Sequence, residues 1–494
     1  MAYNGFAIDK YLGADAVTKQ LDELIKQPVF TIKKDALKRY EEEYFEKKCA
    51  KSKEMISEAK NIIPGGVQHN LAFNYPFPIV ITKAQDNKLY DIDGNEYYDL
   101  LQAGGPTVLG SNPEVVREAV IDLLNTCGPS TGLFHEYEYK LAKKISDSVP
   151  SVEMFRMLGS GTEACMVAAR IARLKTGKKN ILKMGGAYHG WSDQLAYGIR
   201  IPGTKGIQSR GIPSYVFGHT DEFFPNDLED LERKLKKHQV DGGTAAIYLE
   251  LIGPESGTRP VSKEFVKGVE FLAHKYGALF IADEVVTGFR MGMSGAQGYF
   301  GVDPDLTIFG KAIAGGYPGA GGVGGHKDCM AHLGAGLDAS GKKIKKALCG
   351  GTMAATPISC CAGYHMLCEI ERTNACEKAG RMGDRLTAGL QELINKHNLP
   401  FVAFNQGSVC HLDNAGTMHF HIDWNKLWTI PEVLKQTDIR RKEMEHIGAA
   451  YMAEGIVTLA GSRLYTSAAY SEEDIDDVLR RFDRVFSQCG RLGE

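Results

Sequence analysis

From about residue 150 to residue 310 the chain repeats one pattern, a short apolar run followed by a break and a helix. This alternation is the strongest constraint on its fold. The runs are Met154-Phe155-Arg156-Met157-Leu158, Asn180-Ile181-Leu182-Lys183-Met184, Ala245-Ala246-Ile247-Tyr248-Leu249-Glu250, Leu279-Phe280-Ile281-Ala282-Asp283 and Asp305-Leu306-Thr307-Ile308-Phe309. They are apolar along their length rather than at every second residue, which predicts strands buried on both faces. A helix is expected over 163–175. Strands of this kind alternating with helices predict an α/β fold, a mostly parallel sheet with helices on both faces. Open sheets of that class bind ligands outside the carboxyl ends of their strands.

Asp283 stands at such an end. Lys311 follows in Phe309-Gly310-Lys311-Ala312-Ile313-Ala314-Gly315-Gly316, between an apolar segment and a glycine-rich turn. A lone aspartate is usually a cap or a turn residue, and a lone lysine is usually solvated, so the pair gains weight only from its surroundings. Together in one crevice, an amine and a buried carboxylate suit pyridoxal phosphate. The lysine forms a Schiff base and the acid keeps the ring nitrogen protonated. Three further stretches fit. Gly159-Ser160-Gly161-Thr162-Glu163 lies between a strand and a helix, where small residues let backbone amides approach a phosphate. Gly186-Ala187-Tyr188-His189-Gly190 puts at a strand end a tyrosine that can stack on a pyridine ring, or equally sit in the core. Gly350-Gly351-Thr352 offers another backbone nest and a hydroxyl.

In this order these stretches resemble the class III aminotransferases, which are pyridoxal-phosphate enzymes of fold type I, and most of all the glutamate-1-semialdehyde aminomutase branch. The similarity runs from about residue 52 to the carboxyl terminus. It includes Ile63-Pro64-Gly65-Gly66-Val67, Ser160-Gly161-Thr162-Glu163-Ala164, Ala187-Tyr188-His189-Gly190 and Asp283-Glu284-Val285-Val286-Thr287-Gly288-Phe289-Arg290, and continues through Gly295-Ala296-Gln297-Gly298-Tyr299-Phe300-Gly301-Val302 and Pro304-Asp305-Leu306. The resemblance implies an aspartate aminotransferase-like large domain, a smaller α+β domain and pyridoxal 5'-phosphate as cofactor. It implies that Lys311 carries the cofactor, Asp283 pairs with the pyridine nitrogen, and Tyr188 stacks on the ring with His189 beside it. Ser160, Gly161 and Thr162 would bind the phosphate. Thr352 would reach the phosphate of a partner subunit, so at least a homodimer with shared sites is expected.

Four positions depart from the aminomutase pattern. Leu71 precedes Ala72-Phe73 where that branch carries an arginine for the substrate carboxylate. Gly104 replaces a tryptophan and is expected to leave room. Glu255 stands where the branch has an asparagine. Ser462 replaces a gating glutamate, with Arg463 next to it. In several class III transaminases an arginine matching Arg463 binds a substrate carboxylate, and a glutamate like Glu255 can pair with it. A surface salt bridge is the plain alternative for Arg463. Phe134, in Gly132-Leu133-Phe134-His135-Glu136, is expected at the substrate entrance. These departures point to an intermolecular aminotransferase, moving an amino group from an amino acid, α, β or ω, to a 2-oxo acid by a ping-pong route. The alternative is an isomerase on the same scaffold, a 2,1-aminomutase or an amino-acid racemase or epimerase.

The rest of the chain sets limits. It has 494 residues, enough for two domains. The expected division is a helical extension at 1–50, the first part of the smaller domain at 51–110, the large cofactor domain at 111–365, and the carboxyl-terminal smaller domain at 366–494. Residues 35–60 carry a broken apolar stripe of Leu37, Tyr40, Tyr44, Met55 and Ile56. It suits either a solvated surface helix or one packed on a partner subunit. Residues 79–81, 89–92 and 96–100 are expected to form a small meander with a turn at Asp93-Gly94-Asn95. A net charge of −3 gives no electrostatic case for nucleic acid or an anionic membrane. Eleven cysteines without paired spacing predict reduced thiols, no metal site and, with no leader pattern at the amino terminus, a cytoplasmic protein.

Overall fold

The structure, a computed structural model, describes residues 4–334, 336–337 and 340–493. Residues 1–3, on which the reading of the amino terminus partly rests, lie outside the described residues. The chain divides into two compact units. The larger is Glu114–Cys376 with His421–Leu427, and the smaller is Met1–Pro113 with Glu377–Phe420 and Trp428–Glu494. No helix among the described residues is long and apolar enough to cross a membrane.

The larger unit is built on seven strands: β1 (Met154–Leu158), β2 (Asn180–Met184), β3 (Thr220–Phe223), β4 (Thr244–Glu250), β5 (Leu279–Asp283), β6 (Leu306–Gly310) and β7 (Gly321–Gly325). Their order across the sheet is β1-β7-β6-β5-β4-β2-β3. All run parallel except β7, which is antiparallel to both its neighbours. β2, β4, β5 and β6 are buried at every residue, as apolar runs covered on both faces require. The helix Gly161–Thr176 covers one face. Its Ala164, Val167, Ala168 and Ile171 join Ile181, Ala246, Tyr248, Ile281, Ile308 and Val323 in one core cluster. Ser160 caps that helix by accepting from Glu163 N at 3.2 Å, and Gly177 ends it in the left-handed region.

β3 and β7 were not expected from sequence. β7 is Gly-Gly-Val-Gly-Gly, with almost no strand propensity. Packing dictates those glycines. A Cβ at Gly321 would lie 2.2 Å from the Ser160 carbonyl carbon, and one at Gly322 2.4 Å from the Phe155 ring.

In the smaller unit the helix Ala14–Leu24 buries Val17, Leu21 and Leu24 against Val402 and Phe404. The strand Phe30–Ile32 pairs antiparallel with Cys489–Arg491. Tyr40 and Phe45 are buried in cores of the same unit. The amino-terminal region is therefore packed on its own chain, which neither of the two readings above foresaw. The meander consists of Ile81–Gln85, Lys88–Asp91 and Glu96–Asp99, so its first strand begins at Ile81 rather than Ile79. The final helix, Glu472–Phe486, buries Ile475, Val478, Phe482, Val485 and Phe486.

Candidate active site

β4, β5 and β6 end side by side in the larger unit, and each delivers a polar residue to the sheet edge. Glu250 ends β4 and stands in register with Asp283, which ends β5. Ile308 of β6 pairs with Asp283, and Lys311 is the first residue beyond β6. Lys311 holds a left-handed backbone, φ +50°, and is partly buried. Non-glycine residues adopt that conformation at a cost of about 1–3 kcal/mol, and such strain gathers at functional sites.

Asp283 is 5% exposed. Its Oδ2 accepts from His189 Nδ1 at 2.7 Å and from Cys165 Sγ at 3.8 Å, and its Oδ1 accepts from Val285 N at 3.0 Å. A carboxylate only accepts, so Nδ1 of His189 carries the proton. The other ring nitrogen, Nε2, is buried and has no hydrogen-bond partner among the described residues. Burial holds the His189 pKa below the usual histidine value against the pull of Asp283. Glu284, next in sequence, faces away. Its carboxylate accepts from Thr287 Oγ1, Ala296 N and Gln297 N and organises a structural turn.

Val285 ties the parts together. A Cβ at Gly161 would lie 2.9 Å from Val285 Cγ2, and one at Gly310 would lie 3.0 Å from Val285 Cγ1. The turn 159–162 and the root of Lys311 therefore meet the Val285 side chain, and the Asp283 carboxylate meets its backbone N–H. A Cβ at Gly190 would come 2.4 Å from Thr162 Oγ1, so the loop carrying Tyr188 and His189 crosses directly over that turn.

The same loop is anchored from both sides. Tyr188 N donates to Glu250 Oε1 at 2.9 Å. Fully buried Lys183 donates to Ala187 O at 2.7 Å, Tyr197 O at 2.6 Å and Leu195 O at 3.4 Å. Burial pulls the Lys183 pKa down to about 8, against the attraction of Glu222, Glu250 and Glu255. Glu250 goes the other way. Burial, then the charge of Asp283, pushes it up to about 8. Between these anchors Tyr188 stays 46% exposed while His189 is 1% exposed. An aromatic face left open beside a buried acid is what a flat ring needs.

These residues fit pyridoxal phosphate. The turn lies at the amino end of a 16-residue helix and is lined by glycines whose Cβ positions are already occupied. The acid, the open tyrosine and the strained lysine flank it. Glu255 lies in the turn after β4, its N–H also donating to Glu250, and is left-handed at φ +51°. Thr352 and Phe134 line a separate cavity of about 770 Å³ that neither Asp283 nor Lys311 lines. Arg463 belongs to the smaller unit, opening the strand Arg463–Tyr465, where it pairs with His411. In that unit Leu71 borders the room expected above Gly104, its Cδ1 lying 3.2 Å from an added Cβ. Glu250 and Lys183 escaped notice as site residues. Glu250 obeys the rule that found Asp283, an acid closing an apolar strand, and Lys183 is the one charge inside another such strand.

The family model for aminotransferase class III matches residues 71–479. The chain belongs to that family. It is 36% identical over 448 residues to glutamate-1-semialdehyde 2,1-aminomutase 1 of Macrococcus caseolyticus, covering 88% of this chain and 98% of that protein. An omega-transaminase from Sphaerobacter thermophilus has the same fold, with a TM-score of 0.77 at 25% identity, covering 90% of this chain and 99% of that one. A glutamate-1-semialdehyde aminomutase from Pseudomonas aeruginosa in complex with PMP superposes with a TM-score of 0.75 at 18% identity, covering 95% and 98%. The fold is that of the pyridoxal-phosphate transaminases and aminomutases, and pyridoxal phosphate is the cofactor. The sequence relative carries an isomerase's name, which favours the alternative over the transferase expected above.

Proposed function

We propose that this enzyme relocates an amino group on a small amino compound as an isomerase of the 2,1-aminomutase kind. The support is the convergence of the turn 159–162, Asp283 and Lys311 on Val285, together with 36% identity to an aminomutase over nearly its whole length. When bound, the cofactor supplies an electron-poor ring that stabilises negative charge on the substrate carbon. Asp283 holds a proton on the ring nitrogen, and the His189 contact keeps that carboxylate oriented. Tyr188 offers its open face to the ring. Ser160, Gly161 and Thr162 take the phosphate, the helix amino terminus favouring its charge. Lys311, free of the cofactor while substrate occupies the site, would take a proton from the carbon that gives up the amino group and deliver one to the carbon that receives it, as base and then as acid.

A second reading is favoured by one observation. Leu71, in place of a carboxylate-binding arginine, lies against Gly104. Apolar groups at these positions suit an intermolecular aminotransferase with a 2-oxo acid acceptor, and Arg463 suits a substrate carboxylate. Incubating the holoenzyme with an amino-substrate panel, with and without pyruvate or 2-oxoglutarate, separates the two. Product without a 2-oxo acid supports the isomerase, and product only with one supports the transferase. Protein that stays colourless with the vitamer rejects both.

A homodimer is part of this proposal. Leu133, Phe134, Trp191 and Met353 of the larger unit are each more than half exposed, an apolar surface that calls for a cover. Equilibrium sedimentation of a monomer at micromolar concentration would remove it. A cytoplasmic location also belongs to this reading, since all eleven cysteines are free.

A further inference from the structure

The turn after β4 contains two consecutive non-glycine residues in the left-handed region, Glu255 at φ +51° and Ser256 at φ +62°. Successive amides in such a conformation form a concavity that binds an anion. Here the anion is the chain's own Glu250 carboxylate. Oε1 accepts from Glu255 N at 3.0 Å and Oε2 from Ser256 N at 2.8 Å. Oε1 also accepts from Tyr188 N at 2.9 Å, from the loop after β2. The two segments also touch directly, since a Cβ at Gly186 would lie 3.3 Å from Pro254 Cβ. One buried side chain thus joins the loop that carries the open tyrosine to the turn that carries Glu255.

We propose that Glu250 is a positioning residue: its carboxylate locks the Tyr188 loop and the Glu255–Ser256 turn into one frame, so that the ring-facing and substrate-facing sides of the site are placed together. The assignment rests on the cofactor reading above. Lys183 holds the Tyr188 loop from its own strand, and Glu250 bonds that loop to the turn. Two left-handed residues in a row are costly, and the three donors that converge on Glu250 offset that cost. The charges around the carboxylate are Asp283 and Glu255, with Lys183 on the far side of the Tyr188 loop. The like charges oppose ionisation, so the frame depends on the amide hydrogen bonds.

The test compares wild type with Glu250→Gln and Glu250→Ala as purified holoenzymes. Pyridoxal phosphate affinity is measured by absorbance, ring placement by the circular dichroism of the bound cofactor, and KM and kcat on any substrate the wild type turns over. Glu250→Ala is expected to weaken cofactor binding about tenfold, the loss that follows from leaving buried amide donors unsatisfied, and to diminish the induced dichroism. KM is expected to rise several-fold, with a smaller fall in kcat. Glu250→Gln keeps one acceptor oxygen and is expected to fall between. If both variants are less stable yet bind cofactor with wild-type affinity and dichroism, Glu250 is merely structural and the proposal is overturned. If Glu250→Ala does not fold, the glutamine variant alone decides by the same readouts. Wild type that binds no cofactor would instead refute the cofactor reading.

Discussion

The strand ends of the larger unit and the amino-terminal arm of the smaller unit both bury polar groups, but to opposite effect. At the strand ends the polar groups stop short of satisfying one another. Tyr188 is left 46% exposed and His189 Nε2 has no partner. In the arm they go mainly to main-chain carbonyls and one acid, although Arg440 Nε, like His189 Nε2, has no hydrogen-bond partner among the described residues. Arg440, 4% exposed, donates to Ile25 O, Gln27 O and Ala415 O at 2.9–3.0 Å, and His419 Nε2 lies 2.7 Å from Asp22 Oδ1. Val17, Leu21 and Leu24 are buried beneath, each contributing roughly 1.5–3 kcal/mol. An aromatic side chain left open beside a buried acid suits a ligand, whereas a buried guanidinium donating to three main-chain carbonyls serves stability.

That contrast breaks if Lys311 can be spared. Lys311→Ala is expected to lower turnover by about a thousand-fold or more and to abolish the visible band of lysine-bound cofactor. Its unfolding midpoint should stay close to wild type. Near-normal turnover would remove the central assignment. Asp283→Ala comes next, with an expected fall of about a hundred-fold and weaker cofactor binding, because His189 is left buried beside an empty place. Unchanged pyridoxal phosphate affinity in a titration would count against the pairing of this acid with the ring.

The arm should behave in the reverse way. Arg440→Met strands the buried Ala415 carbonyl and the part-buried carbonyls of Ile25 and Gln27 and is expected to cost roughly 3–5 kcal/mol in urea unfolding. Turnover per folded molecule should not move. A variant of wild-type stability, or one that is stable but inactive, would dissolve the distinction between the two regions.

The two regions also differed in how much the sequence disclosed. Runs such as 180–184 and 279–283 could be bounded to the residue, because a strand buried on both faces leaves an unbroken apolar signal. An acid closing such a run marks the sheet edge, which made Asp283 visible and would have exposed Glu250. β7 gave no signal, since its glycines answer to Ser160 and Phe155, residues far away in sequence. The arm was opaque for the same reason. Its anchor Arg440 lies more than four hundred residues from the carbonyls of Ile25 and Gln27, and no local pattern encodes that meeting.

Lys183 sharpens the comparison further, because it lies in the site yet behaves like the arm, its Nζ donating to three main-chain carbonyls. Unlike arginine it can titrate. Burial draws its pKa from 10.5 down to about 8. Between those values the unfolded chain holds a proton that the folded chain has released. Stability from this group therefore rises as pH climbs from about 8 toward 10.5, and below 8 the full cost of the buried charge is felt. Glu250, pushed up to about 8, acts in a lower window, costing stability as pH rises from 4.5 to about 8. Lys183→Met has no ammonium to titrate, and loss of the cation drives Glu222 and Glu250 higher still, which tilts the difference the same way. Urea midpoints taken from pH 7 to 10.5 should thus show wild type gaining on the variant by on the order of 1–3 kcal/mol, the smallest of these effects. A difference that stays flat across that window would mean that folded Lys183 keeps its proton as long as the unfolded chain does, up to 10.5, and that the carbonyls of the Tyr188 loop are held by an ammonium throughout.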